Sequence, residues 1–166
     1  DYVLLGADGR PLGDPHHYRD PRNNGIAEDV QRRFPKLDLY RRTGIRTMVF
    51  NTVYQLMAEA RDNAEYAARA ATVLTIPDYL HYVLSGTKVN ELTNASTTQL
   101  LKLGKPEWDA DLMGELGIPA KLFLPPTRPG TVLGALAALL AKELGYRGKA
   151  LSCARAASSS PSATVS

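Results

Sequence analysis

The sequence predicts an α/β fold weighted toward helix, with few strands of its own, and three observations predict it. Tyr2 to Leu5 is a short apolar run bounded by turn residues, the length and setting of a strand. From Ile26 onward the period changes: Ile26, Val30 and Phe34 recur at four-residue spacing with charges between them, the mark of an amphipathic helix. Proline and glycine then cut the periodic stretches repeatedly, at Pro35, Gly44, Pro77, Gly86, Gly117 and Pro119. An α/β domain whose main sheet strands lie mostly outside the segment would show this pattern.

Each element has a local reason. After Leu5, Gly6-Ala7-Asp8-Gly9-Arg10 places an aspartate able to bond its own backbone between two glycines. Pro11-Leu12-Gly13 then leads back into an extended stretch ending at Arg19, so a β-hairpin is expected, closed by Pro21 and Gly25. A helix from Ala27 ends at Pro35. A second, Leu37 to Arg42, stops at Gly44, which suits a left-handed cap. Asn51-Thr52 stands ahead of Val53, Leu56, Met57 and Ala60, giving a helix over 52–61 with polar capping candidates and one apolar face. Ala64 to Leu74 repeats the helical pattern. Pro77-Asp78 opens a helix over Tyr79 to Leu84, with Leu80, Val83 and Leu84 expected to face inward and Ser85-Gly86-Thr87 closing it. Asp109 to Leu116 forms another, ended by Gly117 and Pro119. Residues 135–144, ALAALLAKEL, predict an alanine-leucine helix. Beyond Gly148, LSCARAASSSPSATVS has no periodicity and is expected to be a disordered or aberrant tail. The organisation is therefore a domain over 1–134, a helix and linker over 135–148, and a tail over 149–166.

Composition excludes several classes. Hydrophobic residues make up 44% of 166 residues, enough for a domain with its own core. The basic excess lies in residues 135–166, where Lys142, Arg147, Lys149 and Arg155 face Glu143 alone, leaving residues 1–134 neutral. A neutral body with a basic tail lacks the one-sided footprint of a nucleic-acid binder. Cys153 is the single cysteine, which rules out an intramolecular disulfide and suits a reducing compartment. No apolar run is long enough to span a bilayer, and no basic region precedes the first apolar patch as in a signal peptide. The chain opens on Asp1 rather than methionine and is expected to be a fragment of a longer cytoplasmic polypeptide.

Three motifs carry the functional signal: His17-Tyr18-Arg19-Asp20-Pro21-Arg22, Val49-Phe50-Asn51-Thr52-Val53-Tyr54-Gln55-Leu56, and Val89 to Leu101 (VNELTNASTTQLL) followed by Glu107-Trp108-Asp109-Ala110-Asp111. Together, over about residues 1 to 134, they resemble the first domain of the FGGY carbohydrate kinases, and within that family the rhamnulokinases, which phosphorylate L-rhamnulose with ATP. The resemblance implies an actin-like, ribonuclease H-like ATPase domain, a small-molecule sugar substrate, and ATP with Mg2+ as cofactors of the full-length enzyme. It also implies a phosphate-cradling glycine loop and a catalytic aspartate that are not among these residues. No catalytic residue is assigned, and the fragment alone is expected not to transfer phosphate. Rhamnulokinases usually have glutamine, phenylalanine and proline before the asparagine, whereas this chain has Arg46, Thr47 and Val49, which bears on the exact sugar.

The candidate substrate-binding residues are Asp1, Tyr18, Arg19, Asp20, Phe50 and Asn51. His17 to Asp20 concentrates an aromatic ring, a guanidinium and a carboxylate at a strand exit; planar polar groups bond paired hydroxyls while an aromatic face covers the apolar side of a sugar. On the residues alone, Arg19 and Asp20 equally brace the turn and Tyr18 equally belongs to the core. The resemblance favours Tyr18 beside the sugar and leaves Arg19 and Asp20 open. Phe50-Asn51-Thr52 precedes a helix, where free N–H groups and polar side chains can meet substrate oxygens, or where Asn51 is simply an N-cap. Asp1 follows, in the family, a glycine that contacts the sugar. Thr93 to Thr98 resembles a family loop joining helices to the next strand and is expected to hold a turn through side-chain to backbone bonds. His16 and His17 with Asp14 and Asp20 match no recognised metal pattern. A non-catalytic sugar-binding or interaction module, or a truncated product that does not fold stably, are the competing readings.

Overall fold

The computed structural model describes residues 1–147 and 151–153. Strands β1 (Tyr2–Leu5) and β2 (Thr72–Thr75) pair antiparallel, with Tyr2 opposite Thr75 and Leu5 opposite Thr72. Both are buried at every position. Alternate side chains of a strand point to opposite faces, so a ribbon covered on both sides buries every position, the threonines at both ends of β2 included. Tyr2, Leu4 and Val73 join the larger core, with Ile26, Ala27 and Val30 of α1 (Ile26–Arg33), Leu39 of α2 (Lys36–Thr43), Val53, Tyr54 and Leu56 of α3 (Thr52–Asp62), and Leu112 and Met113 further along the chain. Val3, Leu5 and Leu74 join a smaller core on the opposite face. The ribbon is the middle layer of a helix–sheet–helix arrangement.

The sequence-predicted hairpin is only partly formed. Its turn is present, with Gly6 N donating to Arg10 O at 2.9 Å and Leu12 N to Leu4 O at 2.9 Å, but the return strand shrinks to a bridge between Leu5 and Pro11. Pro11 has no N–H to extend the ladder, and β1 takes β2 as its partner instead. The stretch expected as helix from Ala64 to Leu74 divides: α4 covers Ala64–Arg69, and Thr72-Val73-Leu74-Thr75 is strand β2. Three β-branched residues among these four, Thr72, Val73 and Thr75, suit a pleated, fully buried strand better than a helix.

Helix α5 (Ile76–Ser85) forms where Pro77 predicts a start, but its phase is opposite to the expected one. Leu80, Val83 and Leu84 are 55%, 47% and 40% exposed. Ile76, Tyr79 and Tyr82 pack on the smaller core, and Asp78 is fully buried. Asp78 fixes the rotation. Its Oδ2 accepts from Thr75 Oγ1 at 2.8 Å and its Oδ1 from Glu91 N at 3.1 Å, which ties α5 to β2 and to β3 (Asn90–Glu91). Burial pushes this carboxyl above its ordinary value, against the opposing pull of those two bonds. A group whose folded pKa is raised stabilises the fold below the unfolded value and loses that contribution as pH rises through the folded one. Asp78→Asn keeps an acceptor for Glu91 N and a donor for Thr75 Oγ1 without a buried charge. It is expected to raise the midpoint of thermal unfolding at pH 7, with the gain vanishing toward pH 3. Asp78→Ala orphans both partners and is expected to cost about 1–3 kcal/mol.

β3 continues directly into α6 (Leu92–Thr97), so the Thr93–Thr98 run expected as a loop is largely a short helix. Glu91, fully buried, caps it: Oε1 accepts from Thr93 N at 2.9 Å, and Oε2 from Thr93 Oγ1 at 2.6 Å and Asn94 N at 3.0 Å. Ser96, Thr97 and Thr98 each donate their hydroxyl to the carbonyl three residues earlier. The expected side-chain to backbone bonds are present, and they satisfy helix carbonyls rather than a loop. α7 (Ala110–Glu115) starts at Asp109 as expected, with Asp109 Oδ1 accepting from Leu112 N at 3.0 Å.

Past Pro119 a 3-10 turn (Ala120–Leu122) leads to β4 (Pro126–Thr127), parallel to β3. The helix expected over 135–144 is shorter, α8 (Ala138–Glu143), because Ala135 ends strand β5 (Val132–Ala135). β5 pairs antiparallel with β6 (Leu151–Cys153), Val132 opposite Cys153 and Ala135 opposite Leu151. The first part of the segment expected as an irregular tail is thus a strand, ordered by the edge that β5 offers, a long-range partner that local periodicity does not reveal. Residues 148–150 and 154–166, the rest of the expected linker and tail, lie outside the described residues. Among the described residues no helix is long and apolar enough to cross a membrane.

Candidate functional site

Helices α3 and α6 meet end to end, and the cleft opens at that junction. Val53 N donates to Thr98 O at 3.2 Å, and Asn51 Nδ2 donates to Thr97 O at 3.1 Å. Asn51 occupies the N-cap position of α3 but does not cap it through its side chain. Its Oδ1 instead accepts from Met48 N at 2.7 Å, closing the turn that delivers Phe50. One amide proton and one lone pair of Asn51 stay available. Gln55, one turn further on, holds Phe50 from behind by donating Nε2 to Phe50 O at 2.8 Å.

Opposite these residues stands Tyr18. The segment expected to be extended turns here, with Asp20 N donating to His17 O at 2.9 Å and Asn23 Nδ2 to Tyr18 O at 3.2 Å. The Tyr18 ring meets Phe50 edge to face, 6.0 Å between centroids at 84°. Asp1, just ahead of β1, completes the wall. A cleft of about 340 Å³ results, lined by Asp1, Tyr18, Phe50, Asn51, Thr52 and Thr97.

Four of the six sequence-predicted residues, Asp1, Tyr18, Phe50 and Asn51, are therefore brought together. Arg19 and Asp20 are not among them. They line a neighbouring cleft of about 280 Å³ with Asn23, Asn24 and Val49, on the other side of the Tyr18–Phe50 pair, which lines both. Arg19 sits over the Tyr18 ring, 5.2 Å from its centroid. Asp20 braces the turn: its Oδ1 accepts from Arg22 N at 2.9 Å, and this bond holds its carboxyl below the ordinary carboxylate value. His16 Nδ1 lies 3.4 Å from Asp20 Oδ2. Thr52, part of the Phe50-Asn51-Thr52 stretch read as able to meet substrate oxygens, and Thr97, given no site role from sequence, also enter the lining. Thr97 lies in the hydroxyl-rich run that signals only a structural motif, and its place in the cleft depends on how α6 docks on α3.

Chemically the main cleft offers two aromatic rings, one side-chain carboxylate, one amide and three hydroxyls, those of Tyr18, Thr52 and Thr97, with no lysine or arginine. Such a lining bonds hydroxyl groups and covers an apolar ring face. It supplies nothing to neutralise a polyphosphate. Basic side chains collect instead at a separate cleft of about 370 Å³, where Lys102, Lys105 and Arg128 stand around Ile45, Leu92 and Leu101. Among the described residues no group of three or more His, Cys, Asp or Glu is placed to hold a metal ion. The lining of the main cleft therefore fits a hydroxyl-bearing ligand and not MgATP.

Residues 1–153 match the FGGY family of carbohydrate kinases, N-terminal domain. The chain is 45% identical over 134 residues to the rhamnulokinase of Yersinia pestis bv. Antiqua (strain Angola), which covers 81% of this chain and 28% of that protein. It is 43% identical over 145 residues to the rhamnulokinase of Oceanobacillus iheyensis, covering 87% of this chain and 31% of that protein. In three dimensions it resembles ligand-bound xylulose kinase from Lactobacillus acidophilus with a TM-score of 0.84 at 24% identity, over 93% of this chain and 32% of that one. Fold and neighbours define the class: a portion of an actin-like ATPase domain of the α/β type. The chain belongs to the FGGY family of carbohydrate kinases, and it spans about 28% to 31% of the length of the curated relatives it matches.

Proposed function

We propose that this chain supplies one wall of the sugar site of an ATP-dependent carbohydrate kinase acting on L-rhamnulose or a related ketose. The observation that carries the proposal is the cleft that gathers Asp1, Tyr18, Phe50 and Asn51 with no basic side chain in its lining. A neutral polyol matches that chemistry, and the rhamnulokinases to which the chain is similar supply the candidate sugar. In a complete enzyme of this kind ATP and Mg2+ deliver the phosphoryl group, and positioning with charge neutralisation supplies most of the rate. The sugar is the small-molecule partner, neither nucleic acid nor membrane is required, and the cytoplasm is the compartment. The chain alone binds sugar and transfers no phosphate.

Titration calorimetry on the 166-residue chain tests this. L-Rhamnulose is expected to release heat on binding while ATP with Mg2+ does not, and Tyr18→Ala is expected to weaken sugar binding about tenfold, the equivalent of one lost aromatic contact. Absence of sugar binding, or formation of a sugar phosphate by the chain alone, would refute the proposal.

A further inference from the structure

Behind the sugar cleft, and sharing no residue with its lining, Arg22, Glu59 and Tyr2 form a buried charged cluster. Arg22 Nη1 donates to Glu59 Oε2 at 2.5 Å, and their side chains are 9% and 6% exposed. The Tyr2 hydroxyl lies 3.0 Å from the same Oε2 and 3.2 Å from Gln55 O, and it accepts from Arg22 Nη2 at 3.4 Å. Glu59 Oε1 accepts from Asn63 Nδ2 at 2.9 Å. Burial, then the nearby Glu59 carboxylate, push the Tyr2 hydroxyl well above its ordinary value, so it stays a neutral donor. Removing charge from water this completely is costly, and apolar side chains of similar size would fill the space at least as well. The cluster is better explained by what it joins.

Each partner belongs to a segment that lines the cleft. Tyr2 follows Asp1. Arg22 follows Tyr18, and its own N–H is received by Asp20 while its carbonyl accepts from Arg61 Nη2 at 2.8 Å. Glu59 stands two turns along α3 from Asn51 and Thr52, and Gln55, whose carbonyl meets Tyr2, holds Phe50. Three of the four segments that line the cleft, all but the Thr97 end of α6, are therefore cross-linked at one carboxylate. We infer that Arg22 and Glu59 are positioning residues for the sugar site: their ion pair, with Tyr2, sets the distance between the Tyr18 turn and the Asn51 end of α3, and hence the width of the cleft. The role in sugar binding rests on the function proposed above; the mechanical role does not.

Amide hydrogen exchange and sugar titration on the 166-residue chain, compared for wild type, Glu59→Gln and the double variant Arg22→Leu with Glu59→Leu, separate the two. The double variant leaves no unpaired buried charge, so it reports even where Glu59→Gln is too unstable to study. At a temperature where both variants are fully folded, segment 16–24 is expected to exchange at least about tenfold faster while α5, across the ribbon, keeps its protection, and L-rhamnulose affinity is expected to fall about tenfold. Unchanged exchange in segment 16–24 in the double variant would overturn the inference, as would uniform loosening of the whole chain. If the wild type binds no sugar, the proposed function fails, and selective loosening of 16–24 still decides whether the ion pair is a brace.

Discussion

Gln99→Ala is expected to lower stability by about 4 kcal/mol, roughly 10 °C in the midpoint of thermal unfolding for a chain of this size. Gln99 is 1% exposed and joins three segments. Its Oε1 accepts from Tyr54 Oη at 2.8 Å, and its Nε2 donates to Ile45 O at 3.0 Å and Thr47 Oγ1 at 3.2 Å. Tyr54 is fully buried, so truncating Gln99 removes the 2.8 Å acceptor of its hydroxyl and leaves Thr47 as the remaining polar neighbour. The backbone adds a second term. Among the described residues Gln99 is the one non-glycine residue with positive φ, at 63°. Alanine at that position keeps the strain and loses the bonds that offset it, whereas glycine adopts the left-handed region freely. Gln99→Gly is accordingly expected to be about 1 kcal/mol less damaging than Gln99→Ala. Urea titrations of the two variants, monitored by circular dichroism, measure the difference; equal losses would show that the side-chain bonds alone matter.

The strain at Gln99 has no signature in the sequence, and neither does the buried network it anchors. Helices were legible where local chemistry fixes them. Gly44 adopts φ 72° at the end of α2, as its position predicts, and any Cβ there would come within 2.6 Å of the Leu103 side chain. What failed was phase and partner. Val73 and Leu74 of β2 fit either the helical or the strand period, and only pairing with β1 decides between them. α5 was turned outward by Asp78, a charged residue that the hydrophobic pattern assigns to solvent but that three-dimensional neighbours hold inside. For the cleft that the structure assembles, Tyr18 is singled out by family resemblance, and Phe50 and Asn51 by their place just ahead of a helix start. Arg19 and Asp20 stand on the far side of the aromatic pair because the backbone turns at His17, which an extended reading of that segment does not anticipate. Two separate cores with satisfied buried groups such as Glu91 and Asp78 also support a cooperative unfolding transition for the chain.

The second large effect is expected at the clamp between α2 and α7. Arg42 makes a two-pronged contact with Asp109, Nε to Oδ2 at 2.9 Å and Nη2 to Oδ1 at 2.8 Å, while Nη1 reaches Glu115 Oε1 at 3.2 Å. Arg42 is partly exposed at 31%, but the Asp109 side chain is only 7% exposed. Burial alone would raise the Asp109 carboxyl; the Arg42 bonds and the N–H of Leu112 outweigh it and hold the group below its ordinary 3.8. A depressed folded pKa contributes stability that is present above the unfolded value and is lost as pH falls through the folded one. Arg42→Ala leaves a buried carboxylate with one N–H partner and is expected to cost about 3 kcal/mol at pH 7, the lower end of the range for breaking a buried pair because the arginine is partly solvated. As Asp109 becomes protonated in the wild type the pair weakens there too, so the gap between wild type and variant should narrow below about pH 4. Arg42→Lys is expected to recover less than half of the loss, since an ammonium cannot match both carboxylate oxygens as a planar fork does. Urea midpoints at pH 7 and pH 3 give the comparison, and a gap that stays constant with pH would assign the loss to packing of the arginine stem instead of the charge pair.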